Sequence, residues 1–229
     1  MLRKKAFCLL MTVSAFFGLM ACHAQRSAES AAHEQQDSSA SLGTSIHLKR
    51  ISEFNEPWAL AVLPDGRLLI TERSGQLILF NPIDQTKTLI RNIPKVAYGG
   101  QGGLGDIVLH PDFAQNHQIY LSYAEAGQGG YGAVVIRADL NLDQAQPQLD
   151  NLKMIWKQAP KVRGQGHYAH RMLFDGAGKL WISSGERQKF DPAQDLTSNL
   201  GKIISLNDDG SVALDNPFQT QGDIAKQIW

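Results

Sequence analysis

The chain has 229 residues, with 22 basic and 22 acidic side chains and a formal net charge of zero. That balance removes the electrostatic case for a nucleic-acid partner. Hydrophobic residues make up 43%, enough for a substantial core, and the 21 glycines, many at turns between short apolar runs, favour an all-β protein.

Arg3, Lys4 and Lys5 precede an apolar stretch from Ala6 to Ala21, 16 residues long. It is shorter than the roughly 20 residues a spanning helix needs and is patterned as an export signal. Residues 1–21 are therefore read as a signal peptide of a bacterial exported protein. Leu19-Met20-Ala21-Cys22 resembles a lipoprotein cleavage box and makes Cys22 the lipidation candidate; cleavage after Ala24, discarding Cys22, is the alternative. No aspartate follows Cys22, which favours the outer membrane over inner-membrane retention. Either route leads to the periplasm. Cys8 and Cys22 are the two cysteines, so the mature domain is expected to have no disulfide. Residues 22–45, rich in Ala, Ser, Gln and Glu, read as a flexible tether. The folded domain is assigned to residues 46–229.

From Ile51 onward short strands and turns alternate. Trp58 to Val62, Leu68 to Thr71, Leu77 to Phe80 and Lys87 to Arg91 make a four-stranded meander with turns at Pro64-Asp65-Gly66 and Ser74-Gly75. The pattern recurs over Leu104–Leu109, Ile119–Tyr123, Ala133–Ala138 and Leu152–Trp156. A third unit begins at Tyr168 and continues through Leu200 to Leu206, and Ile224–Trp229 reads as the start of a fourth. Repeats of this size with four strands each predict a β-propeller. A two-sheet sandwich, the rival, leaves the repeated strand–Asp–strand units unexplained. About three units and the start of a fourth are too few to close a ring, so an incomplete propeller, part of a longer gene product, is expected.

The third unit carries the chemistry. Met172–Phe174 and Leu180–Ile182 flank the turn Asp175-Gly176-Ala177-Gly178. With the turn centred between Gly176 and Ala177, and no bulge, equal counting sets His167 opposite Glu186. Directly opposed residues have Cβ atoms roughly 4.5–5.5 Å apart. A carboxylate on one ring nitrogen fixes the tautomer and leaves the other nitrogen free as a base. On spacing alone, an ordinary surface pair is the alternative. His170 reads as a satisfied strand side chain, and Arg171 as a charge partner for Glu186 or for a ligand.

Gly100-Gln101-Gly102-Gly103-Leu104-Gly105 matches GxGxxG, but a strand follows it where a dinucleotide site needs a helix. Its missing side chains would let a flat ligand approach, with Gln101 as the polar contact; a plain turn is the alternative. Asn207-Asp208-Asp209-Gly210 lacks the ligand spacing and closing glutamate of a calcium loop. No GxSxG, HExxH or CxxC occurs, and no metal ligand is assigned. A propeller lactonase would need more channel carboxylates than Asp106 and Glu186.

The stretches PWALAVLPDGRLLITERSGQLILF, GQGGLGDIVLHPDF with IYLSYAE, GHYAHRMLFDGAGKLWISSGER, and AQDLTSNLGKIISLNDDGSV with DNPF resemble the soluble PQQ-dependent sugar dehydrogenases, the aldose branch in particular. The resemblance implies a six-bladed propeller that oxidises aldoses at C1 to lactones with hydride transfer to PQQ. It makes His167 the catalytic base, Glu186 the carboxylate that orients it (where the family usually has Asp), and Gln101 a cofactor or sugar contact; Arg171, read above as a possible ligand partner, is set beside Gln101 as the second cofactor-binding candidate. It also implies calcium. The clamp for the PQQ carboxylates and the calcium ligands are expected in sequence following Trp229, so the chain alone is expected to bind PQQ weakly or not at all and to be inactive. Ala169 and His170 stand where the family has small residues, which puts a bulky ring near the pocket, and Ser205 stands where arginine is common. A non-catalytic propeller that binds a carbohydrate or a protein is the competing reading. The electron acceptor is not specified.

Overall fold

The computed structural model describes residues 48–229; the stretches expected to be a signal peptide and a tether, with Cys22, lie outside the described residues. Three antiparallel sheets follow one another along the chain. The first holds β1 (Pro57–Val62), β2 (Leu68–Glu72), β3 (Gln76–Phe80) and β4 (Lys87–Ile90) in sequence order. The second holds β5 (Leu104–Leu109), β6 (Gln118–Gly127), β7 (Gly130–Asn141) and β8 (Gln148–Lys157), with a short helix, α1 (Phe113–Asn116), between β5 and β6. The third holds β9 (Ala169–Phe174), β10 (Leu180–Ser184) and β11 (Lys202–Leu206).

Aspartates build two of the hairpin turns. Asp65 accepts the Arg67 N–H at 3.0 Å between β1 and β2. Asp175 accepts the N–H groups of Ala177 and Lys179 and, through its other oxygen, the Trp181 indole N–H. Such side-chain closure of a turn is the physical content of the repeated strand–Asp–strand pattern.

The sheets pack face to face. Leu69, Leu77, Leu104, Ile119, Leu121 and Val134 fill the layer between the first and second sheets. Tyr120, Val135, Trp156, Leu180, Ile182 and Ile204 fill the layer between the second and third. The second sheet is thus covered on both faces, which is why β6 and β7 read as nearly continuous apolar runs. The outer faces of the first and third sheets leave Leu60, Val62, Leu173 and Ile203 exposed. The first strand of each sheet is innermost, β1 beside β5 and β5 beside β9. Side chains stitch neighbouring sheets together here: the Thr71 hydroxyl on β2 donates to the Gly105 carbonyl on β5 at 2.7 Å, and Asp106 on β5 accepts the Met172 N–H of β9 at 2.7 Å. Consecutive meanders packed in this way are the blades of a propeller.

The C-terminal segment departs from expectation. Ile224–Trp229 does not begin a new sheet. Ile228 bridges Ile204 antiparallel, and the Trp229 N–H donates to the Ile203 carbonyl at 2.9 Å. The open edge of β11 supplies backbone partners, and Ile228 gains burial in the layer shared with Ile204 and Leu206.

Candidate active site

His167 stands just before β9 and Glu186 just after β10, at one end of the inner strands. The His167 Nδ1 lies 2.6 Å from the Glu186 Oε1. The imidazole side chain is 47% exposed and the carboxylate 22%, so the ring faces solvent over a better-covered acid. Partial burial pushes the Glu186 carboxyl up, but the hydrogen bond from His167, the imidazole's charge and the Gln188 N–H outweigh it and hold Glu186 below the usual carboxylate range.

The register that produces this pair differs from the expected one in two places. Near the turn, Phe174 pairs with Leu180, one residue later than a centre between Gly176 and Ala177 gives. Between Ile182 and Ser184 a bulge then sets both His170 and Arg171 opposite Ser183. The extra residue offsets the slip. The Gly185 N–H donates to the Tyr168 carbonyl at 3.0 Å, and His167 meets Glu186 after all. The bulge costs backbone strain: His167, Ala169 and His170 have φ of 47°, 57° and 52°.

Gln101 is adjacent, but its carbonyl oxygen is used within the protein. It accepts the His167 backbone N–H at 2.7 Å, which leaves its amide N–H₂ group without a partner among the described residues. The glycines around it do not open space for a flat ligand. A Cβ on Gly103 would stand 2.1 Å from the Arg73 carbonyl oxygen, and one on Gly100 would stand 2.5 Å from that of Gln165. The loop lacks side chains because the protein's own backbone fills the space.

Arg171 is not the partner of Glu186. Its guanidinium pairs with Asp106 at 3.0 Å and lies 4.2 Å from the Trp58 ring centre. The bulge turns it away from Glu186, toward the first strands of the neighbouring sheets. Burial pushes the Asp106 carboxyl up, and the Met172 N–H and Arg171 only partly offset this.

His170 does not crowd the mouth. It is buried, stacks on Trp58 with a 10° interplanar angle, and holds the Ser122 hydroxyl at 2.7 Å. It sits where Gly105 has no side chain: a Cβ there would stand 1.9 Å from the ring. Burial holds its pKa down at about 4, with Arg171 and Arg187 pressing the same way. The unfolded chain, with a value near 6.5, binds this proton first as pH falls. Stability is therefore full above pH 6.5 and declines toward pH 4. About 3 kcal/mol is expected from this group. Urea unfolding at pH 7 and pH 4.5 checks it, since His170→Gln should flatten most of the slope.

One residue of the site was missed in the sequence. Arg187, next to Glu186, is 1% exposed and lies under the Gly164–Gly166 loop that delivers His167. Its place beside the acid, with glycines before His167, is the one hint the chain offers.

The fold is a propeller's, and the site is an imidazole oriented by a carboxylate at the end of an innermost strand, an arrangement suited to taking a proton from a bound hydroxyl. The chain belongs to the Glucose / Sorbosone dehydrogenase family, whose model matches residues 54–229. It is 36% identical over 178 residues to the aldose sugar dehydrogenase YliI of Escherichia coli, covering 77% of this chain and 48% of that protein. The apo-form crystal structure of the E. coli soluble aldose sugar dehydrogenase superposes with a TM-score of 0.72 at 38% identity, covering 76% of this chain and 51% of that one. The PQQ-bound form of the aldose sugar dehydrogenase from Streptomyces coelicolor gives 0.68 at 29% identity, covering 75% and 50%. The chain spans about half the length of these relatives.

Proposed function

We propose that the protein oxidises aldose sugars at C1 to the lactone in a PQQ-dependent reaction, with His167 as general base. The observation that carries this reading is the 2.6 Å contact of His167 Nδ1 with Glu186 beneath a half-exposed ring. Glu186 holds the Nδ1–H, so the bare Nε2 faces outward and takes the proton of the anomeric hydroxyl. PQQ, when bound, supplies the quinone carbonyl that accepts the hydride from C1. Gln101 fixes the base through its backbone N–H and offers its free amide donors to the cofactor or sugar. Arg171, 61% exposed on the Trp58 ring, presents a cation that suits an anionic planar quinone. These residues fit one side of a PQQ site. The carboxylate clamp and the calcium ligands of a six-bladed ring are proposed to lie outside residues 48–229.

The test adds PQQ, calcium, an aldose and a redox dye to the full-length protein. Turnover with a PQQ absorbance change upholds the proposal. Retained glycan binding with no such change overturns it in favour of a non-catalytic propeller. Periplasmic location with a lipid on Cys22 is proposed from the leader sequence. Palmitate labelling that persists in Cys22→Ser would exclude the lipid at that residue.

A further inference from the structure

We propose that Arg187 is a positioning residue that sets the backbone carrying His167, a role that rests on His167 being the base. The guanidinium is buried with no carboxylate partner among the described residues. It donates instead to three carbonyls: Nε to Gly166 at 2.8 Å, Nη2 to Gly164 at 2.6 Å and Nη1 to Tyr131 at 2.7 Å. Its Cζ lies 3.6 Å from the Tyr168 ring centre, and its own backbone N–H donates to the His167 carbonyl at 3.3 Å. Contacts therefore reach residues 164, 166, 167 and 168, on both sides of the base.

Burying a guanidinium costs several kcal/mol unless its donors are all used. Each of the three guanidinium nitrogens donates to a carbonyl, in three directions that a lysine's single nitrogen cannot copy. The reason to keep such a group lies in the loop it holds. His167, Ala169 and His170 occupy the left-handed region, at about 1–3 kcal/mol each, and hold there only if the surroundings over-determine them. Gln101 fixes the His167 N–H, the Gly185 N–H fixes the Tyr168 carbonyl, and Arg187 fixes the two glycine carbonyls before the base. Gln158 backs the guanidinium at 3.5 Å and reaches Ser184 and the Gly185 carbonyl at 2.9 Å, so the same network runs beneath Glu186. Two adjacent residues thus act on the base in different ways. Glu186 orients the ring, and Arg187 places the backbone from which the ring hangs.

The experiment uses the full-length protein with Arg187→Lys beside His167→Ala. Arg187→Lys is expected to lower kcat by ~10- to 100-fold while KM for the aldose stays within about twofold, since a shift of roughly 1 Å costs on that order. In ¹⁵N-histidine spectra without cofactor, the His167 Nδ1–H resonance should be present in the wild type and lost in Arg187→Lys. If His167→Ala keeps wild-type turnover, the base assignment fails, and the positioning role fails with it. If His167→Ala is inactive while Arg187→Lys keeps both kcat and the Nδ1–H resonance, the positioning role alone is overturned. Should Arg187→Lys not fold, Gln158→Met asks the same question by removing the amide behind the guanidinium. A broadened resonance with a smaller fall in kcat supports the role, and wild-type values for both overturn it.

Discussion

Replacing His167 with alanine is expected to slow aldose oxidation by about 10²- to 10⁴-fold, the usual worth of a positioned general base. Binding of PQQ, followed by its absorbance, should change far less, because in the proposed mechanism the imidazole acts on the substrate's proton. The ring is half exposed and packs into no core layer, so the melting temperature should hold. Glu186→Gln should fall between wild type and His167→Ala. The amide can still accept the Nδ1–H hydrogen bond, but it cannot stabilise the imidazolium that forms when the proton arrives. Steady-state kinetics on the three proteins checks the order. Full activity in His167→Ala would remove the base from the mechanism.

Gly185→Ala is expected to damage the site without touching a catalytic group. A Cβ at this position would stand 1.8 Å from the His167 carbonyl oxygen and 2.6 Å from its carbon. Both are backbone atoms, so no side chain can swing aside. The strand end must part, and with it the Gly185 N–H bond to Tyr168 that holds His167 and Glu186 in register. A loss of about 1–3 kcal/mol in stability is expected from the overpacking. A loss on the order of 10²-fold in kcat should accompany it from displacement of the ring. Gly176→Ala is the control: nothing lies within 4 Å of its added Cβ, its φ is ordinary, and both quantities should stay at wild type. Denaturant midpoints and kcat for the two alanine variants separate a specific clash from a general intolerance of substitution in this hairpin.

The strands of the first two sheets could be read from the chain because alternating or continuous apolar runs ended at Asp, Gly and Pro turns. β5 and β6 begin within one residue of where Leu104 and Ile119 place them. The pairing of His167 with Glu186 was legible too, though for a reason the sequence does not contain. The turn is one residue longer than counted, and the bulge at His170 and Arg171 adds one residue back. No glycine marks that bulge. The left-handed residue is a histidine whose ring finds a slot against Gly105 and Ser122, on a sheet remote in sequence. Long-range partners hid the rest. Arg171 turns to Asp106, 65 residues earlier, rather than to nearby Glu186. The glycines around Gln101 make room for the backbones of Arg73 and Gln165, which local pattern cannot reveal. Arg187 satisfies its charge with carbonyls, and a carbonyl leaves no trace in residue type.

The mechanism depends on which nitrogen of His167 carries the proton. Glu186 Oε1 at 2.6 Å from Nδ1 requires the Nδ1–H tautomer in the neutral ring, with Nε2 bare. The ¹⁵N chemical shifts of the His167 ring in selectively labelled, full-length protein report this directly. The expected result is a protonated Nδ1 and an unprotonated Nε2, with the Nδ1–H signal lost in Glu186→Leu. A neutral ring protonated at Nε2, indifferent to the residue at position 186, would contradict the mechanism.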